Sequence, residues 1–165
     1  MRSMLMRFSR ITGRMGVLSL IVLIAAIMTG CSNKDVSDKS LHRGELLEIP
    51  LADISSEANF YPIEVDGTSM EIIAVQASDG TVRTAFNTCQ VCYSSGRGYY
   101  KQEGDRLVCQ NCGNQFTMDQ VETSAGGCNP WPIFDENTTM SDTSISISYD
   151  YLQAAKEIFA DWKIS

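Results

Sequence analysis

Cys89, Cys92, Cys109 and Cys112 form two Cys-x-x-Cys pairs with sixteen residues between them, in "CQVCYSSGRGYYKQEGDRLVCQNCG". Cysteines at i and i+3 put both sulfurs on one side of a tight turn. Two such turns facing each other make a tetrahedral sulfur cage, which suits zinc, a single iron or an iron–sulfur cluster. Gly113 follows the second pair directly, where a residue without Cβ can take positive φ and let turn N–H groups point at the thiolates. Tyr93 follows the first pair, so the two turns are expected to differ. The spacing lies in the range of zinc-ribbon-like sites. Two disulfides remain the alternative, although a Cys-x-x-Cys disulfide closes a small loop and is usually reducible and catalytic.

The N-terminus bears on that choice, because compartment decides thiol chemistry. Arg2, Arg7, Arg10 and Arg14 form a basic region without acids, followed by the apolar run "VLSLIVLIAAIM", residues 17–28. Twelve residues are short for a bilayer span and suit a signal-peptide core. The run ends in "MTGC", and small residues before a cysteine resemble a bacterial lipobox. That resemblance implies a signal peptide over 1–30, cleavage before Cys31 and a lipid on its sulfur, with residues 31–43 as a flexible tether. It places the chain on the extracytoplasmic face of a membrane. No arginine pair supports export as folded cargo. His42, the only histidine, falls in the tether and is read as solvated. All 20 acidic residues lie after Cys31 with nine of the 13 basic ones, a net charge of −11. Such a chain repels nucleic acid.

Residues 44–165 are expected to form a single metal-binding domain, mainly β (α+β), a small sheet fold with cysteine hairpins and one C-terminal helix. "ELLEIPLADI" and "NFYPIEV" read as strands, with Pro62 placing the second at an edge or bulge. "MEIIAVQA" and "TVRTAFNTC" read as a hairpin across Asp79-Gly80. "GYYKQ" and "RLVCQ" form another across Glu103-Gly104-Asp105, which brings the cysteine pairs together. "NQFTMD" is a short strand, "SAGGCNPWPI" a loop and "SISISY" a strand. Asp150 is the expected cap of the closing helix with Gln153 as its partner, and Leu152, Ala155, Ile158, Phe159 and Trp162 share one stripe.

Five of the six cysteines follow Cys31, so either a four-sulfur site or two disulfides leaves one over. In the metal reading the leftover is Cys128, in "GGCNPWP". Gly126 and Gly127 allow its loop to present it as an alternative or additional ligand. The span "TAFNTCQVC…GYYKQEGDRLVCQNCGNQFTMDQVETSAGGCNPWPI" resembles the FtrD-like family of membrane iron–sulfur-containing proteins. The resemblance carries Cys89, Cys92, Cys109, Cys112 and Cys128 over as the family's cysteines. It implies an iron–sulfur centre and an association with bacterial iron uptake and an iron permease. The larger members have a multi-span membrane portion; here the expected membrane contact is the lipidated Cys31. "CQNCGNQF" also resembles the second cluster-binding loop of Rieske proteins in local geometry. With no histidine near either pair, a histidine-ligated Rieske centre is excluded.

Three functions compete at this level. The first is an electron carrier with an iron–sulfur centre or one iron in four thiolates, linked to iron uptake. The second is a zinc-stabilised module that binds a protein partner or delivers metal. The third is a thiol–disulfide redox protein. No acid–base pair, nucleophile–histidine set or phosphate loop supports hydrolytic chemistry, so an electron carrier or metal-binding protein is expected rather than a stand-alone enzyme. Cys₄ ligation alone does not choose the metal.

Overall fold

The computed structural model describes residues 39–123 and 125–164. The signal peptide, the lipobox with Cys31 and most of the tether lie outside them. Among the described residues no helix is long and apolar enough to cross a membrane.

The architecture is mainly strands with one short helix, as the sequence predicts. In chain order the strands are β1 (Lys39–Leu41), β2 (Leu46–Pro50), β3 (Asn59–Val65), β4 (Thr68–Gln76), β5 (Val82–Cys89), β6 (Tyr100–Glu103), β7 (Arg106–Cys109), β8 (Gln115–Thr117), β9 (Pro130–Pro132), β10 (Thr138–Met140) and β11 (Ser144–Ser148). Helix α1 (Tyr149–Ala154) leads into a 3-10 turn at Lys156–Phe159. One sheet runs β1-β3-β4-β5-β9, a second β10-β11-β2 and a third β6-β7-β8.

The β4–β5 and β6–β7 hairpins form where the turn residues place them. Gly80 and Gly104 both adopt positive φ, which tight hairpin connections require. Tyr100 pairs with Cys109 across the second hairpin. Pro62 sits in β3 opposite Glu71 of β4, and β1 covers the other side of β3 only from Ile63 onward. The missing proline donor therefore falls just outside the covered stretch.

Several expectations need correction. The tether does not extend to residue 43, because Lys39–Leu41 pair in parallel with β3 and Leu41 is buried. One apolar side chain in three residues leaves no periodic signal, yet its burial contributes about 1.5–3 kcal/mol. The closing helix starts one residue earlier than Asp150. Its cap is Ser148, whose hydroxyl accepts the Tyr151 N–H at 3.3 Å. The apolar stripe does pack as read: Leu152, Phe159 and Trp162 are buried in the larger core, and Ala155 and Ile158 lie against it.

Pro130–Pro132, expected as loop, is a sheet strand. Its pairs with β5 are Ala85 with Pro132, Phe86 with Trp131 and Cys89 with Pro130, with a bulge between Phe86 and Cys89. Prolines lack the ladder donor, so only an edge position admits them.

Two apolar cores result. One lies under α1 and the C-terminal turn. The other gathers Ile73, Val75, Ala85, Tyr100, Leu107, Met118 and Val121 around Cys89, Cys92 and Cys109. Cys89, Cys92 and Cys109 thus stand on an apolar floor, with Cys128 packed against it, at the points where β5 and β7 end and β9 begins.

Candidate metal centre

The first cysteine turn follows directly from β5. The Cys89 N–H donates to the Gly98 carbonyl at 2.7 Å, and the Cys92 N–H points at the Cys89 sulfur at 3.4 Å. The Val91 N–H also donates to that sulfur. After Cys92 the chain takes a 3-10 turn at Tyr93–Ser95, ended by Gly96 at φ +77°. It then folds back so closely that a Cβ on Gly98 would stand 2.3 Å from the Cys92 carbonyl oxygen. Gly96 is held by the C-terminal segment: it donates to the Asp161 carbonyl at 2.8 Å and accepts from the Ile164 N–H at 2.9 Å.

The second turn follows from β7. The Cys109 N–H donates to the Asn114 carbonyl and the Gly113 N–H to the Cys109 carbonyl, both at 2.9 Å. Gly113 takes φ +74°, as its place after the pair predicts. The Asn111 and Cys112 N–H groups donate to the Cys109 sulfur, and the Asn114 N–H to the Cys112 sulfur. In both turns, then, backbone N–H groups converge on the first sulfur.

The third segment arrives through β9. Pairing of Pro130 with Cys89 sets the preceding residues beside the first turn. The Gln90 side chain clasps the approach: its Oε1 accepts the Gly126 N–H at 2.7 Å, and its Nε2 donates to the Pro130 carbonyl at 3.4 Å.

The result is a cluster in which the sulfurs of Cys89, Cys92, Cys112 and Cys128 all lie within 4.8 Å of one another. Cys109 falls outside that closest set. The spacing-based picture made the two pairs the framework with Cys128 as an accessory. The geometry puts Cys128, and not Cys109, in the closest four, because a non-local strand pairing delivers it. All five carry free thiols; Cys89, Cys92 and Cys109 are buried, Cys128 is half-buried and Cys112 is exposed. His42 stands apart, exposed, with its backbone N–H on the Glu45 carboxylate.

Proton affinities differ within the cluster. Burial raises Cys89, but the Tyr100 hydroxyl and the Val91 and Cys92 N–H groups outweigh it, and the thiol ends below its ordinary value. Burial pushes Cys109 up to about 12 despite its own two backbone donors. Burial also dominates at Cys92 and Cys128, both raised. At Cys112 the Asn114 N–H and the neighbouring thiols overcome burial and the shift is downward.

Three residues that the sequence did not single out support the site. Tyr100, 1% exposed, donates its hydroxyl to the Cys128 carbonyl and also reaches the Cys89 sulfur. Asn87, buried in β5, grips the Tyr100 backbone from both sides: its Oδ1 accepts the Tyr100 N–H at 2.8 Å and its Nδ2 donates to the Tyr100 carbonyl at 3.2 Å. Gly98 permits the close return of the chain. Only "GRGYY" between the pairs hinted at any of this, as a glycine and an aromatic next to the cysteines.

The donor set fits a thiophilic metal. A tetrahedral ion with metal–sulfur bonds of about 2.3 Å needs sulfurs roughly 3.8 Å apart, so four thiols within 4.8 Å need little movement to close on it. Residues 90–96, 110–118 and 126–134, which surround the thiols in sequence, contain no Asp, Glu, Lys or Arg, in a chain of net charge −7. The loops leave uncharged edges: Cys112 is exposed, and Val91 beside the first turn is 61% exposed.

No curated protein and no solved structure matches the chain significantly. The family model for FtrD-like membrane iron-sulfur containing proteins matches residues 54–159, a span that includes the four clustered cysteines and Cys109. The chain belongs to that family.

Proposed function

We propose that this chain is an extracytoplasmic, lipid-anchored iron–sulfur protein that transfers electrons in bacterial iron uptake, exchanging them with a redox partner or an iron permease system. The observation that carries this reading is the group of four thiols within 4.8 Å in a member of an iron–sulfur family. The basic region, the apolar run and "MTGC" support export and lipidation at Cys31. Iron in thiolate ligation supplies one-electron redox chemistry. Cys89, Cys92, Cys112 and Cys128 would hold it, and the converging N–H groups would offset the charge of the thiolates. The apolar floor excludes water from the Cys89 and Cys92 side, and the exposed Cys112 edge is the short route to a partner.

Anaerobic purification with metal analysis, visible absorption and redox titration tests the reading. Bound iron with a sulfur-to-iron absorption band and a reversible one-electron step is expected. Stoichiometric zinc in a colourless protein would overturn it in favour of a structural zinc module for a protein partner or metal delivery. That second reading draws on the same compact spacing, which suits one tetrahedral ion. Separately, Cys31→Ala is expected to release the protein from membranes or block its processing; unaltered processing and retention would remove the anchor from the proposal.

A further inference from the structure

The Cys128 thiol belongs to the closest four, yet its loop has the least support from regular structure. Gly126 and Gly127 precede it at φ +102° and +67°, and β9 begins only at Pro130. Gln90 clasps the loop at Gly126 and Pro130. Cys128 itself is held through its carbonyl, which accepts from the Tyr100 hydroxyl and, at 3.6 Å, from the Cys89 thiol.

The Tyr100 donor is anchored through its own backbone and ring. Tyr100 lies in β6 opposite Cys109, its backbone gripped by Asn87, and Asn87 in turn donates to the Glu71 carboxylate. The Tyr100 ring packs edge-on against Phe116 at 5.9 Å. A glycine-flanked loop therefore meets a hydroxyl that cannot move far.

We propose that Tyr100 is the positioning residue for Cys128: its hydroxyl, donated to the Cys128 carbonyl, fastens the loop so that the fourth thiol completes the metal set. This rests on the metal reading above. Outer-shell partners of ligands commonly change metal affinity about 10–100-fold when removed, and a loop fastener acts only through the ligand that it fastens.

The test is a double-mutant cycle read as zinc affinity by chelator competition, with Tyr100→Phe, Cys128→Ser and the pair. Tyr100→Phe is expected to weaken zinc binding about 10-fold in the native background and to change it little when Cys128 is already serine. Equal loss in both backgrounds would mean that Tyr100 acts through Cys89, and no loss would mean that it positions nothing; either result overturns the proposal. Phenylalanine keeps the ring packing, and 3-fluorotyrosine at position 100, which keeps the donor, is expected to restore affinity. A second readout needs no metal. In the metal-free protein, Tyr100→Phe is expected to speed iodoacetamide alkylation of Cys128 relative to Cys112, and an unchanged ratio counts against the fastening. A native protein that binds no thiophilic metal would defeat the metal reading, while the alkylation ratio would still decide the role of Tyr100.

Discussion

The two cysteine turns start from the same design and end differently. In each, a strand runs into a cysteine whose sulfur receives N–H donors from the two and three residues that follow. Yet Cys89 is shifted down and Cys109 up to about 12. Both are buried and both have the two backbone donors. What differs is what surrounds each sulfur: the Tyr100 hydroxyl and the Cys92 thiol lower Cys89, whereas the Cys112 thiol and the charge at Cys89 raise Cys109. The first turn contributes both of its sulfurs to the closest four; the second contributes only Cys112. A repeated motif in sequence is therefore not a repeated role. The side chains that the rest of the fold brings to each turn decide which sulfur is primed.

The largest break in this comparison should come from glycine. Gly98→Ala drives a Cβ to within 2.3 Å of the Cys92 carbonyl oxygen, where backbone cannot yield cheaply. We expect a loss of at least about 3 kcal/mol and failure of the first turn. Gly113→Ala meets nothing within 4 Å and faces only the positive φ, a cost of about 1–2 kcal/mol. Denaturant unfolding of the two variants measures the gap; similar losses would erase the asymmetry between the turns.

Next in size is the exchange of equivalent cysteines. Cys89→Ser is expected to remove most of the bound metal and the stability linked to it, whereas Cys109→Ser is expected to retain metal. Metal content and thermal melting of both variants provide the check. Loss of metal from Cys109→Ser alone would return the framework to the two sequence pairs.

A smaller effect is expected in the metal-free native protein. Cys112 is exposed while Cys89, Cys92 and Cys109 are buried, so peptide mapping after brief alkylation should find Cys112 labelled well ahead of those three. Labelling of all four together would mean that the apolar floor opens.

A pH-dependent effect concerns β5, the strand that leads into the first turn. The Glu122 carboxyl accepts the Thr84 N–H of that strand, and burial pushes it up to about 7. Its folded value exceeds its ordinary one, so the stabilisation is full below about pH 4.5 and is lost as pH rises through 7. A stability profile over that window is expected to slope downward, and Glu122→Gln is expected to flatten it. No change in slope would remove Glu122 from the account.

How much of this was legible in sequence depended on the range of the interaction. Both cysteine turns, the hairpin between them and the closing apolar stripe are local patterns, and each is found where the pattern puts it. Strand β9 is not local. "PWP" carries no strand signature, and only its pairing with Cys89 turns it into one. The place of Cys128 among the closest four follows from that pairing and was hidden with it. Tyr100 was hidden for a different reason: a buried tyrosine reads as core, and its hydroxyl gains meaning only when a carbonyl from residue 128 is set against it. β1 escaped because a single buried leucine makes no period.

The absence of charge in the loops around the thiols has a kinetic consequence. Charged rims steer partners from a distance and leave rates that fall steeply with salt. Here the segments around Cys92, Cys112 and Cys128 carry no ionisable Asp, Glu, Lys or Arg. Under the proposed function, a partner meeting this edge would find no charge in these segments to steer it, and association would be on the order of the 10⁵–10⁶ M⁻¹s⁻¹ typical of unsteered encounters. The overall acidity acts from farther off and is screened beyond about 8 Å at physiological ionic strength. Recognition at the Cys112 edge, if the proposed function holds, would then rest on shape and desolvation, and a change in salt would scarcely alter its rate.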